Sequence, residues 1–195
     1  QASESNQHLI SRAKEKTQGL ISLIGDLLDL SRIESGAVCE APKPVQLEDL
    51  LTSIVEFLDI KAKAKNQTLS IEKPQEPLPP VKADPVALES IFGNLITNAI
   101  NYTQEGGKIL VSVDLAGINL RVKVKDNGFG IEERHLAKIF DRFYRVKTEK
   151  TRYITGTGLG LPIVRGLVDS LGGFISVESA PDEGSTFTVL LPTTG

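Results

Sequence analysis

The sequence predicts an α/β (α+β) fold: a two-layer sandwich of a mixed β-sheet covered on one face by three helices, preceded by a long helix of the bundle or coiled-coil type. Three observations support this prediction. A helical apolar repeat fills most of the first 34 residues, three shorter amphipathic stripes follow it, and segments of alternating apolar and polar residues lie between those stripes. Because the strand segments are apolar on one face only, the sheet should carry helices on one side and face water on the other.

The first helix is predicted from about Glu4 to Glu34. Small or apolar residues recur there at alternating spacings of three and four, namely Ile10, Ala13, Thr17, Leu20, Ile24, Leu27 and Ser31. This heptad seam, widened by Ile21 and Leu28, suits a helical bundle, and Gly36 marks the helix end. No second helix precedes the Pro-containing linker at residues 41–44, so we expect the seam to pair with a second chain or with a helix outside this sequence.

The rest of the chain alternates between helical and strand patterns. Helical stripes run through residues 47–58, 88–99 and 161–171. Strand patterns run through residues 109–113, 118–124, 174–178 and 186–191, and the turn-rich residues 181–184 join the last two. Residues 41–195 are therefore expected to form one domain.

Composition excludes several classes of protein. With 195 residues and 40% apolar content, the chain can bury one ordinary core. A formal net charge of -3 argues against a general nucleic-acid binder. No apolar run approaches the roughly 20 residues that a membrane-spanning helix needs. The single cysteine, Cys39, excludes an internal disulfide framework and suits a reducing compartment.

The first chemical pattern is an asparagine edge on the second stripe. Asn94, Asn98 and Asn101 are spaced by four and three residues, which puts their carboxamides on one side of a helix. Asparagine is a weak helix former, so three of them on an otherwise apolar helix need an explanation, and a binding role is one. A solvated polar face explains this pattern equally well.

Two glycine-containing patterns follow along the chain. Asp126, Gly128 and Gly130 come directly after a strand, where a carboxylate can accept from a base amino group beside a sharp turn. Residues 156–161 carry three glycines at a helix start, where free N–H groups and the helix dipole favour phosphate. Each pattern alone is weak, because tight turns use the same residues. The second lacks the preceding strand of a dinucleotide-binding fingerprint.

A basic stretch separates these two patterns. It contains Arg142, Arg145, Lys147, Lys150 and Arg152 within an acidic protein. The stretch suits a lid over phosphates, and a solvated loop is the alternative.

Taken together, the order and spacing of these patterns resemble the N, G1, F and G2 boxes of sensor histidine kinases, within the ATPase superfamily shared with DNA gyrase, mismatch-repair proteins and heat-shock chaperones. Residues 184–187 resemble a G3-type element, and residues 27–36 resemble the end of the second dimerisation helix. The resemblance covers almost the whole chain. It implies that residues 1–40 are the remnant of a dimerisation and phosphotransfer hairpin and that residues 41–195 are an ATP-binding catalytic domain.

The resemblance also implies ATP and Mg²⁺ as cofactors. By similarity, Asn98 is the metal ligand, and Asn94 is a catalytic residue that contacts phosphate or metal-bound water. Tyr102 packs along the adenine, and Asp126 accepts from the adenine amino group, which would reject guanine by roughly 10⁴-fold. Arg142 is the second catalytic residue and contacts the γ-phosphate. The other expected nucleotide contacts are Gly128, Gly130, Ile131, Phe143, Lys147, Thr157, Gly158, Leu159, Gly160, Leu161 and Thr186.

One residue departs from the family pattern. Many relatives carry a basic residue that reaches the phosphates at the position of Asn101, which is neutral here. One charge-assisted contact is therefore expected to be lost, and a lid cation such as Lys147 is a candidate to replace it.

The activity implied by the resemblance is transfer of the γ-phosphate of Mg·ATP to a histidine on a dimerisation helix, for relay to an aspartate of a response-regulator receiver domain. The phosphoacceptor helix is expected to lie upstream of this chain, so the chain alone should not autophosphorylate. His8 lacks a following carboxylate, and His135 is expected at the surface; neither is the expected acceptor. A regulatory pseudokinase, an ATP hydrolase and a serine kinase of the same superfamily are the alternatives. Asn94 argues against the hydrolase, since an amide cannot activate water as a base.

The resemblance further implies a homodimer formed through the N-terminal hairpin of a longer parent protein. This chain is expected to be cytoplasmic and to bind no nucleic acid. Contact with a bacterial inner membrane is expected only through absent N-terminal regions, and the parent is either anchored or soluble.

Overall fold

The computed structural model describes residues 2–34, 42–74 and 76–193, and in the first range it describes only part of the side chains. The helices are α1 (Ala2–Glu34), α2 (Leu47–Lys63), α3 (Pro85–Tyr102), α4 (Glu133–Leu136) and α5 (Gly160–Ser170). The strands are β1 (Lys43–Val45), β2 (Thr68–Glu72), β3 (Val81–Ala83), β4 (Lys108–Ala116), β5 (Asn119–Asp126), β6 (Phe174–Ala180) and β7 (Gly184–Pro192). Gly36, Cys39, Ala41 and the His8 side chain, all singled out from the sequence, lie outside the described residues.

A five-stranded mixed sheet forms one layer of the molecule, in the order β2-β4-β5-β7-β6. Strands β2 and β4 are parallel, and every other neighbouring pair in this sheet is antiparallel. Strand β5 shows the alternation that the sequence predicts: Leu120, Val122 and Val124 are buried, whereas Arg121 is on the open face, where its Nη2 lies 2.8 Å from Asp114 Oδ2. The predicted mixed sheet with an open polar face is confirmed.

Three helices, α2, α3 and α5, cover the other face of the sheet and enclose the core. Helix α3 is central, because it packs on both of the other helices as well as on β4 and β5. Its apolar side is fully buried, and the core residues it contributes are Leu88, Ile91, Phe92, Leu95, Ile96 and Ile100. The two-layer arrangement follows, since each amphipathic helix buries its stripe against the apolar face of the sheet.

Polar contacts at both ends fix the position of α3. At its start, Asp84 Oδ1 accepts from Val86 N at 2.9 Å, and Pro85 occupies the first turn. At its end, the carbonyl of Ile100 accepts from Lys65 Nζ and from the buried Gln67 Nε2, each at 3.0 Å. The bonds at the helix end satisfy carbonyl groups that would otherwise lack partners. Together with the bond at the start, they fix the position of α3 and of the asparagines it carries.

Helix α1 has one face exposed to solvent and another packed on the core. The predicted seam is exposed along its length, with Ile10 at 67% and Leu20 at 61% of their accessible surface. A second stripe, consisting of Leu23, Leu30 and Ile33, packs against the core next to α5. One face of α1 is thus docked on the domain and the seam is left uncovered. Within the described residues, no helix has the length and apolar character needed to cross a membrane.

Several elements of the fold were not predicted. Strands β1 and β3 have only three residues each, and α4 has four, which is too short for a periodic pattern to show. Strand β2 was also missed. Ile118, assigned to a strand from its spacing, lies in the turn between β4 and β5 and is 81% exposed.

Candidate functional site

An open cleft of about 1500 Å³ lies beside α3, between the loop that follows β5 and residues 143–162. The sequence patterns that were far apart along the chain meet around this cleft. Side chains of α1, among them Leu23 and Asp26, complete its wall. The volume exceeds that of one drug-sized ligand and is large enough for a nucleotide and its ions.

The asparagine edge of α3 lines the cleft, and all three of its residues are half-buried. Asn94 Nδ2 donates to the carbonyl of Ser90 at 2.9 Å, so its amide orientation is fixed. Its Oδ1 lies 3.0 Å from the position that a Cβ on Gly160 would occupy. The side chains of Asn98 and Asn101 make no hydrogen bond with any described residue. The edge therefore offers the cleft one fixed amide group, next to Gly160 at the start of α5, and two free ones.

Asp126 ends β5 at the base of the cleft and is only 5% exposed. Its Oδ1 accepts from the backbone N–H of Gly128 at 2.9 Å. Burial raises the pKa of Asp126, and hydrogen bonds from the backbone N–H groups of Gly128 and Ser185 act in the opposite direction. An ionised carboxylate offers about four acceptor sites, so one that accepts from these two N–H groups can still accept from a donor on a ligand.

The two glycines after Asp126 are required by neighbouring backbone. A Cβ on Gly128 would lie 2.2 Å from the carbonyl oxygen of Tyr102, and a Cβ on Gly130 would lie 1.8 Å from that of Ala180. Gly130 also has φ of 66°, which favours glycine. Both glycines were expected from the sequence to contact a nucleotide, and the structure shows protein carbonyls as their close neighbours.

The segment before α5 is joined to the start of the basic stretch. Phe143 N donates to the carbonyl of Gly158 at 2.9 Å, and both residues have positive φ. Thr157 Oγ1 donates to Asp26 Oδ2 of α1 at 2.6 Å and accepts from Leu159 N at 3.2 Å. The glycine-rich segment is therefore held by the basic stretch on one side and by α1 on the other.

Most cations of the basic stretch are engaged with protein groups. Arg142 Nη2 lies 2.6 Å from Glu34 Oε1 at the end of α1, and neither Arg142 nor Lys147 lines the cleft. Arg145 donates to the carbonyls of Ile154 and Gly156. Lys150 forms an ion pair with Asp182 in the β6–β7 turn. Arg142, Arg145 and Lys150 are thus paired with protein groups, and the two ion pairs remain largely exposed to solvent.

Not every residue proposed from the sequence reaches the cleft. Those that line it are Asn94, Asn98, Tyr102, Asp126, Gly130, Ile131, Phe143, Thr157, Gly158, Gly160 and Leu161. Gly128 is buried behind it, and the Leu159 side chain is fully buried in the core. Thr186 is placed away from the cleft, because successive side chains of a strand face opposite sides; Ser185 and Phe187 line it instead.

Several residues that line the cleft were not predicted from the sequence. Lys61 of α2 lines it, as do Phe129 and Tyr144. His135, expected at the surface, is half-buried, and its Nδ1 lies 2.7 Å from Tyr144 Oη. The aromatic residues sit inside or beside the recognised patterns and could have been included, whereas nothing in the sequence of α2 distinguishes Lys61 from its neighbours.

Comparison with known proteins agrees with this geometry. Residues 83–195 match the family described as histidine kinase-, DNA gyrase B-, and HSP90-like ATPase. The chain is 34% identical over 190 residues to the circadian input-output histidine kinase CikA of Synechococcus elongatus, covering 97% of this chain and 25% of that protein. It is 32% identical over 188 residues to the sensor histidine kinase RcsC of Escherichia coli, covering 96% of this chain and 20% of that protein. The chain thus spans about a quarter or less of the length of these relatives.

Solved structures show the same fold. Full-length ShkA in complex with AMPPNP superposes with a TM-score of 0.81 at 27% identity, covering 97% of this chain and 39% of that chain. The catalytic domain of histidine kinase ThkA superposes with a TM-score of 0.69 at 32% identity, covering 79% of this chain and 97% of that domain. The chain belongs to the histidine kinase-, DNA gyrase B- and HSP90-like ATPase family, and within that family its fold is that of the ATP-binding catalytic domain of sensor histidine kinases.

Proposed function

We propose that this chain binds Mg·ATP and acts as the catalytic part of a sensor histidine kinase, transferring the γ-phosphate to a histidine on a dimerisation helix. The observation that carries the proposal is the buried carboxylate of Asp126, which opens onto a cleft edged by Asn94 and Asn98. Family membership and the AMPPNP complex of ShkA support nucleotide binding.

Asp126 would select the base. With Oδ1 held by Gly128 N, the other carboxylate oxygen can accept from the adenine amino group. Guanine presents an acceptor at the same edge, which would leave two acceptors facing each other in a buried site. Tyr102, on the last turn of α3, lines the cleft near this carboxylate and would pack along the base.

The residues present fit a magnesium ion that arrives with the nucleotide. Asn98 is half-buried, lines the cleft and offers a neutral oxygen that no described residue occupies. The described residues hold no group of three or more His, Cys, Asp or Glu arranged as a metal cage. Magnesium is commonly held by one or two protein oxygens together with substrate phosphates, and it would neutralise phosphate charge here. Asn98 would be its protein ligand.

Asn94 favours transfer over hydrolysis. An amide has no basic lone pair at neutral pH, so Asn94 cannot withdraw a proton from an attacking water. Its Nδ2 is bound to Ser90 O, so Oδ1 is the atom directed at the glycine-rich segment. We infer that the site positions ATP and leaves the γ-phosphate for a nucleophile brought from outside. Arg142 would have to leave Glu34 to contact that phosphate.

The exposed seam of α1 supports a partner helix. Among the α1 side chains that the structure describes, six large apolar ones are exposed, namely Ile10, Leu20, Ile21, Ile24, Leu27 and Leu28. A row of this size at heptad spacing is typical of a bundle face. We propose that it pairs with a second copy in a longer, homodimeric parent protein, and that residues 1–40 and 41–195 act as the dimerisation remnant and the catalytic domain. We also place the chain in the cytoplasm.

A response regulator is the proposed final acceptor. ThkA has been solved in complex with the response regulator protein TrrA, and it superposes on this chain with a TM-score of 0.72 at 25% identity, covering 93% of this chain and 49% of that chain. By analogy, a receiver-domain aspartate would take the phosphate from the histidine.

Incubation with γ-labelled ATP and Mg²⁺, after calorimetric titration with ADP, tests the proposal. We expect bound nucleotide, little free phosphate and no label on the chain. Failure to bind ADP would refute the proposed function. Rapid phosphate release would favour the hydrolase alternative, and acid-labile label on the chain would mean that His8 or His135 accepts phosphate. A regulatory pseudokinase would bind ATP yet fail to label a longer parent protein that carries the upstream helix.

A further inference from the structure

Lys61 lies on the α2 side of the asparagine edge. Helices α2 and α3 run side by side in the same direction, because strands β1 and β3 pair just before their starts and Lys65 Nζ bonds Ile100 O near their ends. Lys61 is one helical turn before Lys65, so it lies about one turn before Ile100 along α3, beside the turn that carries Asn98 and before Asn101. It lines the cleft together with those two residues.

The Lys61 ammonium group has no protein partner in the described structure. Its neighbours on α2 do: Lys63 Nζ lies 2.6 Å from Asp59 Oδ2, and Lys65 Nζ bonds a helix carbonyl. Although the Lys61 side chain is exposed along much of its length, burial lowers its pKa, and the positive charge of Lys65 lowers it further. A cation in such surroundings is stabilised when an anion binds next to it.

Other cations close to the cleft are already engaged. Arg142 pairs with Glu34, Arg145 with two carbonyls and Lys150 with Asp182. The α3 edge itself contributes only neutral amides. Lys16 also lines the cleft, but it is carried by α1, whose packing is against α5. Among the described residues that line the cleft, Lys61 is therefore the cation that lies beside the asparagine edge of α3.

The position along α3 indicates which phosphate is nearest. Tyr102, at the end of α3, is joined to the loop of Asp126 through the Phe129 N–Tyr102 O bond of 3.0 Å, so this end is the base side. Asn94 adjoins Gly160 at the other end. Lys61 lies beside the part of α3 between these two ends, so the phosphates next to the base would be the nearest to it.

We propose that Lys61 is a phosphate-binding residue of the cleft, whose ammonium group contacts the α- or β-phosphate and supplies from α2 the positive charge that the α3 edge lacks. The inference rests on the proposed function, since it assumes an adenine nucleotide with its base at Asp126. It assigns to α2 a direct part in binding the ligand.

Calorimetric titration with ADP and with adenosine tests this role. Lys61→Met removes the charge and keeps the length of the side chain. We expect it to weaken ADP binding about tenfold, the effect of one charge-assisted contact that is partly open to water, and to leave adenosine binding unchanged. Lys61→Arg keeps the charge and should bind ADP within about threefold of the unaltered chain. Lys63→Met, two residues away and already paired with Asp59, is the matched control and should change neither affinity.

Three results would overturn the inference: unchanged ADP affinity in Lys61→Met, an equal loss for ADP and adenosine, or an Arg variant as weak as the Met variant. Those results leave the proposed function intact as long as the unaltered chain binds ADP. If the unaltered chain binds adenosine as tightly as ADP, the assumption of a phosphate site fails as well.

Discussion

Asp126→Asn exchanges one buried carboxylate oxygen for an NH₂ group and leaves the shape of the site unchanged. Gly128 N donates to Oδ1 at 2.9 Å, so an asparagine must keep its oxygen at that position and direct its NH₂ group toward the cleft. There it would face the amino group of adenine, donor against donor.

The size of the effect follows from two losses. The charge-assisted hydrogen bond to the base is worth about 1.5–3 kcal/mol, and a buried donor left without an acceptor costs about 1–3 kcal/mol. Their sum of about 2.5–6 kcal/mol corresponds to a loss of roughly 10²- to 10⁴-fold in ADP affinity. Asp114→Asn makes the same chemical change on the open face of the sheet, where Asp114 pairs with Arg121, and should leave ADP affinity unchanged.

Although Asp126→Asn should weaken ADP binding, it should stabilise the folded chain relative to the unaltered one as pH rises. Burial raises the pKa of Asp126 above its ordinary value of 3.8, so the folded state binds a proton more tightly than the unfolded state does. The contribution of this carboxyl to stability is therefore full at acid pH and is lost as pH rises from about 4 through the raised pKa. The unfolding temperature of Asp126→Asn, relative to the unaltered chain without nucleotide, should thus increase between pH 4 and pH 7.

Calorimetry with ADP and thermal unfolding against pH together measure both effects. An ADP affinity within threefold of the unaltered chain would refute the placement of the adenine at Asp126. If the unfolding temperature of Asp126→Asn relative to the unaltered chain decreased with pH, the argument from the raised pKa would be refuted. The assignment of the adenine site would then be decided by the binding measurement alone.

Three further substitutions test other features. Gly130→Ala would place a Cβ 1.8 Å from the carbonyl oxygen of Ala180 at a φ of 66°, so urea unfolding should show a loss above about 3 kcal/mol; an unchanged midpoint would contradict this close approach. Gln67→Met removes the buried donor to carbonyls at the end of α3 and should cost about 2–3 kcal/mol in the same assay, and a cost below about 0.5 kcal/mol would show that water replaces the amide. Glu34→Gln breaks an exposed ion pair, so stability should change by less than about 1 kcal/mol while the freed Arg142 strengthens ATP binding relative to ADP; an unchanged ratio of the two affinities would argue against contact with the γ-phosphate.

The long elements could be predicted from the sequence because their periodicity is strong. Strands β4 and β5 alternate over eight or nine residues, and α3 carries an apolar stripe over five turns. Strands β1 and β3 could not, because three residues show no period. Strand β2 has only Leu69 and Ile71 on its inner side, and its parallel partner β4 begins 36 residues further along the chain.

Within the site, helix and strand geometry explain why some residues predicted from the sequence line the cleft and others do not. The i, i+4, i+7 spacing of Asn94, Asn98 and Asn101 was enough to put all three on the cleft. Thr186 was assigned from a motif, and on a strand its side chain faces away from those of Ser185 and Phe187, which line the cleft. The Glu34–Arg142 pair joins residues 108 positions apart, a contact that no local pattern encodes.

Phe129 connects three elements through its main chain alone. Its N–H bonds the carbonyl of Tyr102 at the end of α3, and its C=O accepts from Asp182 N in the β6–β7 turn at 2.8 Å. The end of the cleft at which we place the base is consequently assembled before any ligand arrives, and binding there should require little loss of conformational entropy. At the proposed phosphate end, Arg142 must leave Glu34 before it can contact a phosphate, so the cost of reorganisation falls there. Affinity should therefore be set mainly at the base and the rate of nucleotide exchange mainly at the phosphates.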